Sequence, residues 1–166
     1  MASSILKIRT FPDPILRKVC APVEKIDAKL VAFIRALMKT MEAQSGGIGI
    51  AAPQVGVLKQ VAIVDVTPKN PSAQRLVLIN PVILERFDEK IIREGCMSLP
   101  HYTANIARAN RVTIAWRDLS WKLQQNTFSG IEAVCLQHEV DHLNGMLFLD
   151  RVSCLNSDVF RRKRYL

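Results

Sequence analysis

The sequence predicts a single domain that combines α-helices with β-strands. Its 166 residues are the length of one domain, and 49% of them are hydrophobic, enough to bury a sizeable core. Two segments have the apolar spacing of amphipathic helices, and four segments between them are rich in β-branched residues. We expect the domain to extend over residues 1–166, because no linker, internal repeat or low-complexity tract interrupts it.

The first predicted helix begins after Asp27, whose carboxylate is a good N-cap, and extends to about Ala43. Gly46 and Gly47 follow and are expected to end it. Apolar residues at three- and four-residue spacing form its buried stripe, namely Leu30, Ile34, Leu37, Met38 and Met41.

Four strands are predicted from β-branched content. They are residues 60–66, 76–79, 91–96 and 112–116. A hairpin is expected at residues 118–121, but it lacks the usual glycine, so its turn type stays open.

The second predicted helix begins with a capping box, in which Ser129 is the N-cap and Glu132 follows three residues later. It ends near Asn144 and Gly145. Residues 158–166 are predicted to form a short basic helix or a frayed tail. The inner face of the second helix consists of Ile131, Val134, Cys135, His138 and His142.

His138, Glu139 and His142 form an H-E-x-x-H pattern within this helix. Residues four apart lie on one helical face, so the two imidazoles can bind one metal ion while Glu139 carries protons beside it. The usual third ligands are absent downstream. The third-histidine position of one large protease group is Phe148, and no glutamate follows Glu139.

Cys96 is the upstream candidate for the third ligand, whereas Asp150 and Asp158 are weaker candidates. The cysteine lies in the segment Glu94-Gly95-Cys96-Met97-Ser98, at the end of an apolar stretch. A thiolate suits a borderline or soft divalent ion, and one cysteine with two histidines leaves a fourth position for water. The alternative for Cys96 alone is a small buried core residue.

A third informative segment is rich in glycine and ends in Gln54. Its small residues permit close approach of the backbone, and the Gln54 amide can donate to a developing oxyanion. An ordinary turn is the alternative; the Lys-Ser/Thr of a phosphate loop does not follow. The segment reads Gly47-Ile48-Gly49-Ile50-Ala51-Ala52-Pro53-Gln54.

These three segments closely resemble the signature motifs of peptide deformylases, G-x-G-x-A-A-x-Q, E-G-C-x-S and Q-H-E-x-D-H, in order and in spacing. The resemblance covers the chain from about Phe11 onwards. It implies an α+β fold with small antiparallel or mixed sheets around a central H-E-x-x-H helix. The implied reaction is hydrolysis of the N-formyl group of nascent formyl-methionyl polypeptides, which releases formate. The implied cofactor is one divalent metal ion. The resemblance favours Fe²⁺ as this ion, for which Ni²⁺, Co²⁺ or Zn²⁺ can substitute.

The resemblance also implies residue roles. Glu139 would transfer protons, while the Gln54 side chain and the Met97 backbone N–H would stabilise the oxyanion. The implied metal ligands are Cys96, His138 and His142. The implied substrate-binding residues are Gly47, Ile48, Gly49, Val134 and Cys135.

Ile48, Val134 and Cys135 would line the pocket for the methionine side chain; plain core packing is their alternative. Arg108 is expected to pair with Glu94 and Asp141, because charged groups in apolar segments rarely stay buried unpaired.

Three positions depart from the common family pattern. Gly46 stands where many deformylases have an acidic residue, and Thr103 stands where many have an arginine. Both changes concern recognition of the peptide backbone rather than the chemistry. Met97 replaces the commoner leucine, which leaves its backbone donor unaffected.

Composition adds expectations about partners and location. The net charge of +8 suits contact with ribosomal RNA, for which the run Arg161-Arg162-Lys163-Arg164 is the expected surface. Four dispersed cysteines, and no apolar run long enough to span a membrane, favour the cytoplasm without membrane or DNA partners. His101 is expected at the surface. Two alternatives stay open, an H-E-x-x-H metallopeptidase and a non-catalytic basic module that binds the ribosome or RNA.

Overall fold

The structure is a computed structural model in which residues 4–163 are described. No helix in this part of the chain is both long and apolar enough to cross a membrane. Three short 3₁₀ helices lie at Pro14–Arg17, Ala52–Val55 and Phe148–Arg151. The other elements are α1 (Ala28–Glu42), β1 (Gly49–Ala51), β2 (Val61–Val64), β3 (Leu76–Cys96), β4 (Leu99–Arg117), β5 (Leu123–Ser129), α2 (Ile131–Leu143), α3 (Leu155–Asp158) and β6 (Val159–Arg161).

The strands form one antiparallel sheet in the order β1-β2-β3-β4-β5, with β6 added to β4. β3 and β4 form a long hairpin that closes between Cys96 and Leu99, so Cys96 lies at the hairpin end. The predicted mixture of helices and strands is confirmed. The sheet places the end of this hairpin beside α2.

One of the four strand predictions was too long and the other three were too short. Residues 60–66 contain β2, but residues 76–79 and 91–96 are the two ends of the single strand β3, and residues 112–116 belong to the longer β4. The middle of β3 is mostly exposed and charged, so it lacks the apolar alternation that marks a half-buried strand. β5 was not predicted for the same reason, because its sequence is polar and mostly exposed.

The end of the described chain is also different from the prediction. Residues 158–166 were expected to be a helix or a frayed tail, but β6 pairs with β4, with Tyr102 opposite Arg161 and Ala104 opposite Val159. A short charged segment has little intrinsic preference, so this pairing with a distant strand decides its conformation. Residues 164–166 of the predicted tail lie outside the described residues.

α1 follows its prediction closely. The Asp27 carboxylate accepts a hydrogen bond from the Leu30 N–H at 2.7 Å, so Asp27 is the N-cap. The buried stripe packs against β1 and β2, while Met38 lies at its partly buried margin. This contact fixes the glycine-rich segment that follows the helix.

The start of α2 corrects the predicted capping box. Ser129 is the last residue of β5, and the N-cap is Gly130, which has φ +63° and no side-chain cap. A positive φ favours glycine, which lets the chain turn directly from the strand into the helix. Gln137 then joins the helix to β4, since its amide exchanges two hydrogen bonds with the Ala109 backbone at 2.8 and 3.2 Å.

A buried ion-pair network holds β3, β4 and α2 together. The side chain of Arg108 is 1% exposed, and it donates two hydrogen bonds to Glu94, at 2.8 and 3.1 Å, and one to Asp141, at 2.6 Å. Arg151 donates two more to Asp141, each 2.6 Å long. The expected pairing of Arg108 is confirmed. Glu94 and Asp141 flank the histidine motif, so the network also fixes the site.

We expect Arg108→Met to destabilise the metal-loaded protein by about 3–5 kcal/mol, because it leaves two buried carboxylates without their shared partner. The measurement is urea unfolding at neutral pH. Arg111→Met is the matched control, since Arg111 makes only exposed contacts, a 3.6 Å pair with Asp88 and a cation–π contact with the Phe87 ring at 4.8 Å. The control should lose no more than about 1 kcal/mol. Equal unfolding midpoints for the two variants would contradict the importance of the network.

Candidate metal centre and active site

Three separate elements bring the candidate site together. α2 contributes His138, Glu139 and His142; the end of β3 contributes Cys96; and the 3₁₀ helix Ala52–Val55 contributes Gln54. The two histidines are one helical turn apart, so their rings lie on the same face. Their centroids are 4.8 Å apart, and the rings meet nearly edge to face.

Three donor atoms converge on one point. One ligand atom each from Cys96, His138 and His142 lies within 4.8 Å of the other two. The Cys96 Sγ is 3.3 Å from the His142 Nε2, and that nitrogen is 3.2 Å from the His138 Nε2. One thiolate and two imidazoles suit a borderline divalent ion and leave a fourth position open.

Glu94 orients His138. Its Oε2 lies 2.8 Å from the His138 Nδ1, which can therefore donate its proton to the carboxylate and direct Nε2 at the other two donor atoms. Glu94 is itself fixed by Arg108. The ion-pair network thus determines which nitrogen of His138 is free to bind a metal.

The electrostatics favour a thiolate. Burial acts to raise the pKa of Cys96, but the charges and hydrogen bonds of His142 and His138 outweigh it, and the pKa lies well below its usual value. For His138, burial acts to lower the pKa, but the Cys96 thiolate and the Glu94 carboxylate raise it well above normal. A metal would compete with protons for these same lone pairs.

The residues present fit a metal ion. Besides the three converging donors, Glu139 Oε2 is buried and has no hydrogen-bond partner among residues 4–163, which a water molecule in the fourth position would provide. The weaker third-ligand candidates are engaged elsewhere. Asp150 accepts hydrogen bonds from Arg17 and from the Leu147 N–H, and Asp158 accepts one from the Cys154 N–H.

Glu139 is only 3% exposed. Burial raises its pKa to about 7, against the opposing charges of His138 and His142. It lines the same cavity as Cys96 and His138. A carboxyl group in this position can exchange a proton with a molecule bound in the cavity.

Gln54 has a fixed orientation. Its Oε1 accepts a hydrogen bond from the Ala51 N–H at 2.9 Å, so its Nε2 must point towards the site. There it lies 3.5 Å from the Cys96 Sγ and 3.2 Å from the Ser98 Oγ. Met97 follows in the hairpin turn, and its N–H donates to no atom of residues 4–163. Both groups line the cavity as donors.

The cavity has a volume of about 310 Å³. Gly47, Ile48, Val134 and Cys135 line it together with Gly49. A Cβ at Gly49 would lie 2.6 Å from the Cys135 Sγ and would collide with Glu139, so only glycine fits there. Burial, with the nearby charge of Glu139, raises the pKa of Cys135 well above its usual value, which keeps the thiol neutral.

Several residues of the cavity were not anticipated. Ser98 fixes the Gln54 amide, whereas Lys69, Arg93 and Arg162 line the cavity as cations. The E-G-C-x-S motif contains Ser98 and could have indicated it, but no local pattern indicates Arg162, which reaches the site through β6. Ser45, Gly46, Gly95 and Ile131 also line the cavity.

The residues that depart from the family pattern take different places. Gly46 lines the cavity, whereas Thr103 lies opposite Gly95 in the sheet and accepts a 3.4 Å hydrogen bond from Arg93. His101 is exposed, as expected, and its carbonyl accepts a hydrogen bond from the Arg162 N–H.

Comparison with known proteins gives a consistent result. The family model described as polypeptide deformylase matches residues 5–158. A peptide deformylase of Thermodesulfovibrio yellowstonii is 39% identical over 160 residues, 96% of each chain. One of Rhizobium meliloti is 42% identical over 153 residues, 92% of this chain and 87% of the relative.

A solved structure agrees with these relatives. The Met-Ala-Ser-bound crystal structure of a class I type b peptide deformylase from Acinetobacter baumannii has a TM-score of 0.84 and 35% identity, and the match covers 91% of this chain and 100% of the other. Family model, relatives and fold therefore lead to one conclusion: the chain belongs to the peptide deformylases, metal-dependent hydrolases that remove the N-formyl group from newly synthesised polypeptides.

Proposed function

We propose that Cys96, His138 and His142 bind the metal ion on which deformylation depends, and that Glu139 carries the proton. The observation that supports this most strongly is the convergence of the three donor atoms within 4.8 Å beside a buried carboxyl group. When bound, a divalent ion there would act as a Lewis acid and lower the pKa of a water molecule towards neutrality.

Glu139 accepts the proton from the attacking water and delivers it to the amine nitrogen of methionine as the C–N bond of the formamide breaks. Its buried position supports this role, because a carboxylate without a hydrogen-bond partner in the described residues is free to exchange a proton. Formate and the free N-terminal amine are the products.

Gln54 Nε2 and the Met97 N–H stabilise the oxyanion that forms on the formyl group. Gln54 needs little rearrangement, since the Ala51 N–H already holds its carbonyl away from the site. Donors fixed in advance are worth about 10²–10³ in rate each.

The first test compares two variants in the same two assays. Cys96→Ser should lose or alter metal binding, because the thiolate is one of only three protein ligands. Glu139→Gln keeps the shape of the site and should keep its metal, while turnover falls by at least about 10²–10⁴ because the amide cannot take a proton. The measurements are metal content after anaerobic purification and formate release from formyl-Met-Ala-Ser.

Full metal occupancy and unchanged activity in Cys96→Ser would remove the cysteine from the site. Wild-type turnover in Glu139→Gln would refute the proton transfer. We propose Fe²⁺ as the native ion, since the family resemblance implies it and the ligand set suits it; Ni²⁺, Co²⁺ and Zn²⁺ fit the same donors. Recovery of fully active protein with zinc alone would refute iron.

The cavity is proposed to bind the methionine side chain between Ile48, Val134 and Cys135. A related deformylase from Acinetobacter baumannii has been solved with Met-Ala-Ser bound, a peptide that begins with the same residue. The neutral Cys135 thiol and the aliphatic side chains suit an unbranched thioether.

Val134→Trp should therefore fill the pocket and penalise formyl-methionine substrates more than formyl-alanine substrates. We expect the ratio of their kcat/KM values to fall by about 10- to 200-fold, the range for lost apolar contacts in a pocket. The control is Val82→Trp, on an exposed part of β3 outside the cavity. An unchanged ratio in Val134→Trp would exclude this pocket.

Ribosome contact through the basic C-terminal segment stays a proposal, as do a cytoplasmic location and a single domain over residues 1–166. The net charge supports the first, the wide spread of four cysteines with no disulfide between them in the described residues supports the second, and the continuous sheet supports the third. Residues 159–161 belong to that sheet, so the test is confined to deletion of residues 163–166.

This deletion should weaken co-sedimentation with ribosomes at low salt, and added salt should remove the difference, because phosphate contacts are screened. Hydrolysis of a free formyl tripeptide by the shortened and intact chains, measured in parallel, shows whether the catalytic site is intact. Identical sedimentation of the two chains would place any ribosome contact elsewhere.

Family membership decides against both alternative functions. A metallopeptidase would share His138, Glu139 and His142 but would not require Cys96 or Gln54. A non-catalytic ribosome- or RNA-binding module would have no use for a buried donor cluster that opens into a cavity.

A further inference from the structure

β6 brings an arginine to the entrance of the catalytic cavity. The Arg162 N–H donates to the His101 carbonyl at 2.8 Å, which extends the pairing of β6 with β4 by one residue. Because side chains alternate along a strand, Arg162 lies on the same face as Phe160 and opposite to Arg161. On that face, the Arg93 guanidinium lies 3.7 Å from the centre of the Phe160 ring.

The absence of a side chain at Gly95 makes room for Arg162. A Cβ at Gly95 would collide with the Arg162 Nη2, and the guanidinium therefore lies directly over this glycine. Gly95 immediately precedes Cys96, so the positive charge is next to the candidate metal centre. The side chain of Arg162 makes no hydrogen bond or ion pair with any other side chain of residues 4–163 and can bind a ligand in the cavity.

The charges around the cavity have a consistent arrangement. Its exposed charged residues are all cationic, namely Lys69, Arg93 and Arg162. Its two acids are buried, and Glu94 is already paired with Arg108 while Glu139 is at the reaction centre. Arg93 is partly engaged with Asn105 at 2.7 Å and with Phe160. Arg162 is thus less engaged than Arg93, its neighbour at the cavity.

We propose that Arg162 is a specificity-determining residue that binds an acidic side chain at the second or third position of the formylated peptide. This inference rests on the proposed function, in which the formyl group lies at the metal centre and the methionine side chain fills the apolar pocket. The peptide that follows methionine must leave through the cationic entrance. A carboxylate there gains a charge-assisted hydrogen bond from the guanidinium, whereas a lysine is repelled.

The experiment uses the metal-loaded, full-length chain and peptide amides, which carry no terminal carboxylate. The substrates are formyl-Met-Ala-Ser amide and its variants with Asp or Lys at the second or the third position. The enzymes are the wild type, Arg162→Ala, Arg162→Lys and Arg161→Ala. Arg161 is the matched control because it has the same charge and lies next to Arg162, but points to the other face and does not line the cavity.

For wild type, kcat/KM should be about three- to tenfold higher for the Asp peptide than for the Lys peptide at one or both positions, as expected for a partly exposed ion pair. Arg162→Ala should abolish this preference through KM rather than kcat, since the contact is equally strong in the ground state and the transition state. Arg162→Lys should retain part of the preference for the Asp peptide, and Arg161→Ala should retain all of it. Salt near 1 M should reduce the wild-type preference.

Three results would overturn the inference. The first is equal kcat/KM for Asp and Lys peptides in the wild type, and the second is an unchanged preference in Arg162→Ala. The third is an equal loss of the preference in Arg161→Ala, which would indicate the general electrostatic field of a basic protein. Failure of the wild type to deformylate any peptide would instead refute the proposed function. The thermal unfolding temperature of each variant shows whether a lost preference comes from lost peptide recognition or from loss of the pairing of β6. If Arg162→Ala unfolds, the comparison of Arg162→Lys with the wild type still tests the inference.

Discussion

The site depends on a single buried arginine between two carboxylates. Burial acts to raise the pKa of Glu94, but hydrogen bonds from His138 and Arg108 lower it, and the resulting carboxylate accepts the Nδ1 proton of His138. Asp141, which lies about one helical turn after His138 on α2, accepts a hydrogen bond from the same guanidinium. Arg108 therefore contributes to three features: the attachment of the β3–β4 hairpin, the position of α2 and the tautomer of the candidate ligand His138. Loss of Arg108 would alter all three.

The long β3–β4 hairpin brings the thiol of Cys96 close to α2, which is distant from it in the sequence. Its closed end presents Cys96, Met97 and Ser98 in one turn, and these residues supply a candidate metal donor, an N–H without an acceptor in the described residues, and the partner of Gln54. Because one turn carries all three groups, their mutual spacing depends on the local backbone of that turn, whereas packing brings Gln54 and the two histidines to it.

Features that depend on neighbouring residues could be predicted from the sequence, whereas contacts between distant strands could not. Asp27 and the spacing of His138 and His142 depend on neighbours within one helical turn, and both were predicted correctly. Gly130 replaced Ser129 as the N-cap because β5, a polar strand without apolar alternation, continues up to residue 129. β6 and the position of Arg162 depend on pairing with β4, so no pattern in their own segment could have indicated them.

The last described strand has a consequence for how the enzyme can be handled. Arg162 lines the cavity and its N–H donates to the His101 carbonyl, so the described chain ends, at Lys163, one residue from a cavity-lining side chain. A change near Lys163 can therefore disturb the pairing of β6 with β4, and with it the lining of the cavity. The placement of a purification tag or a fused domain is thus also a choice about the surroundings of the cavity.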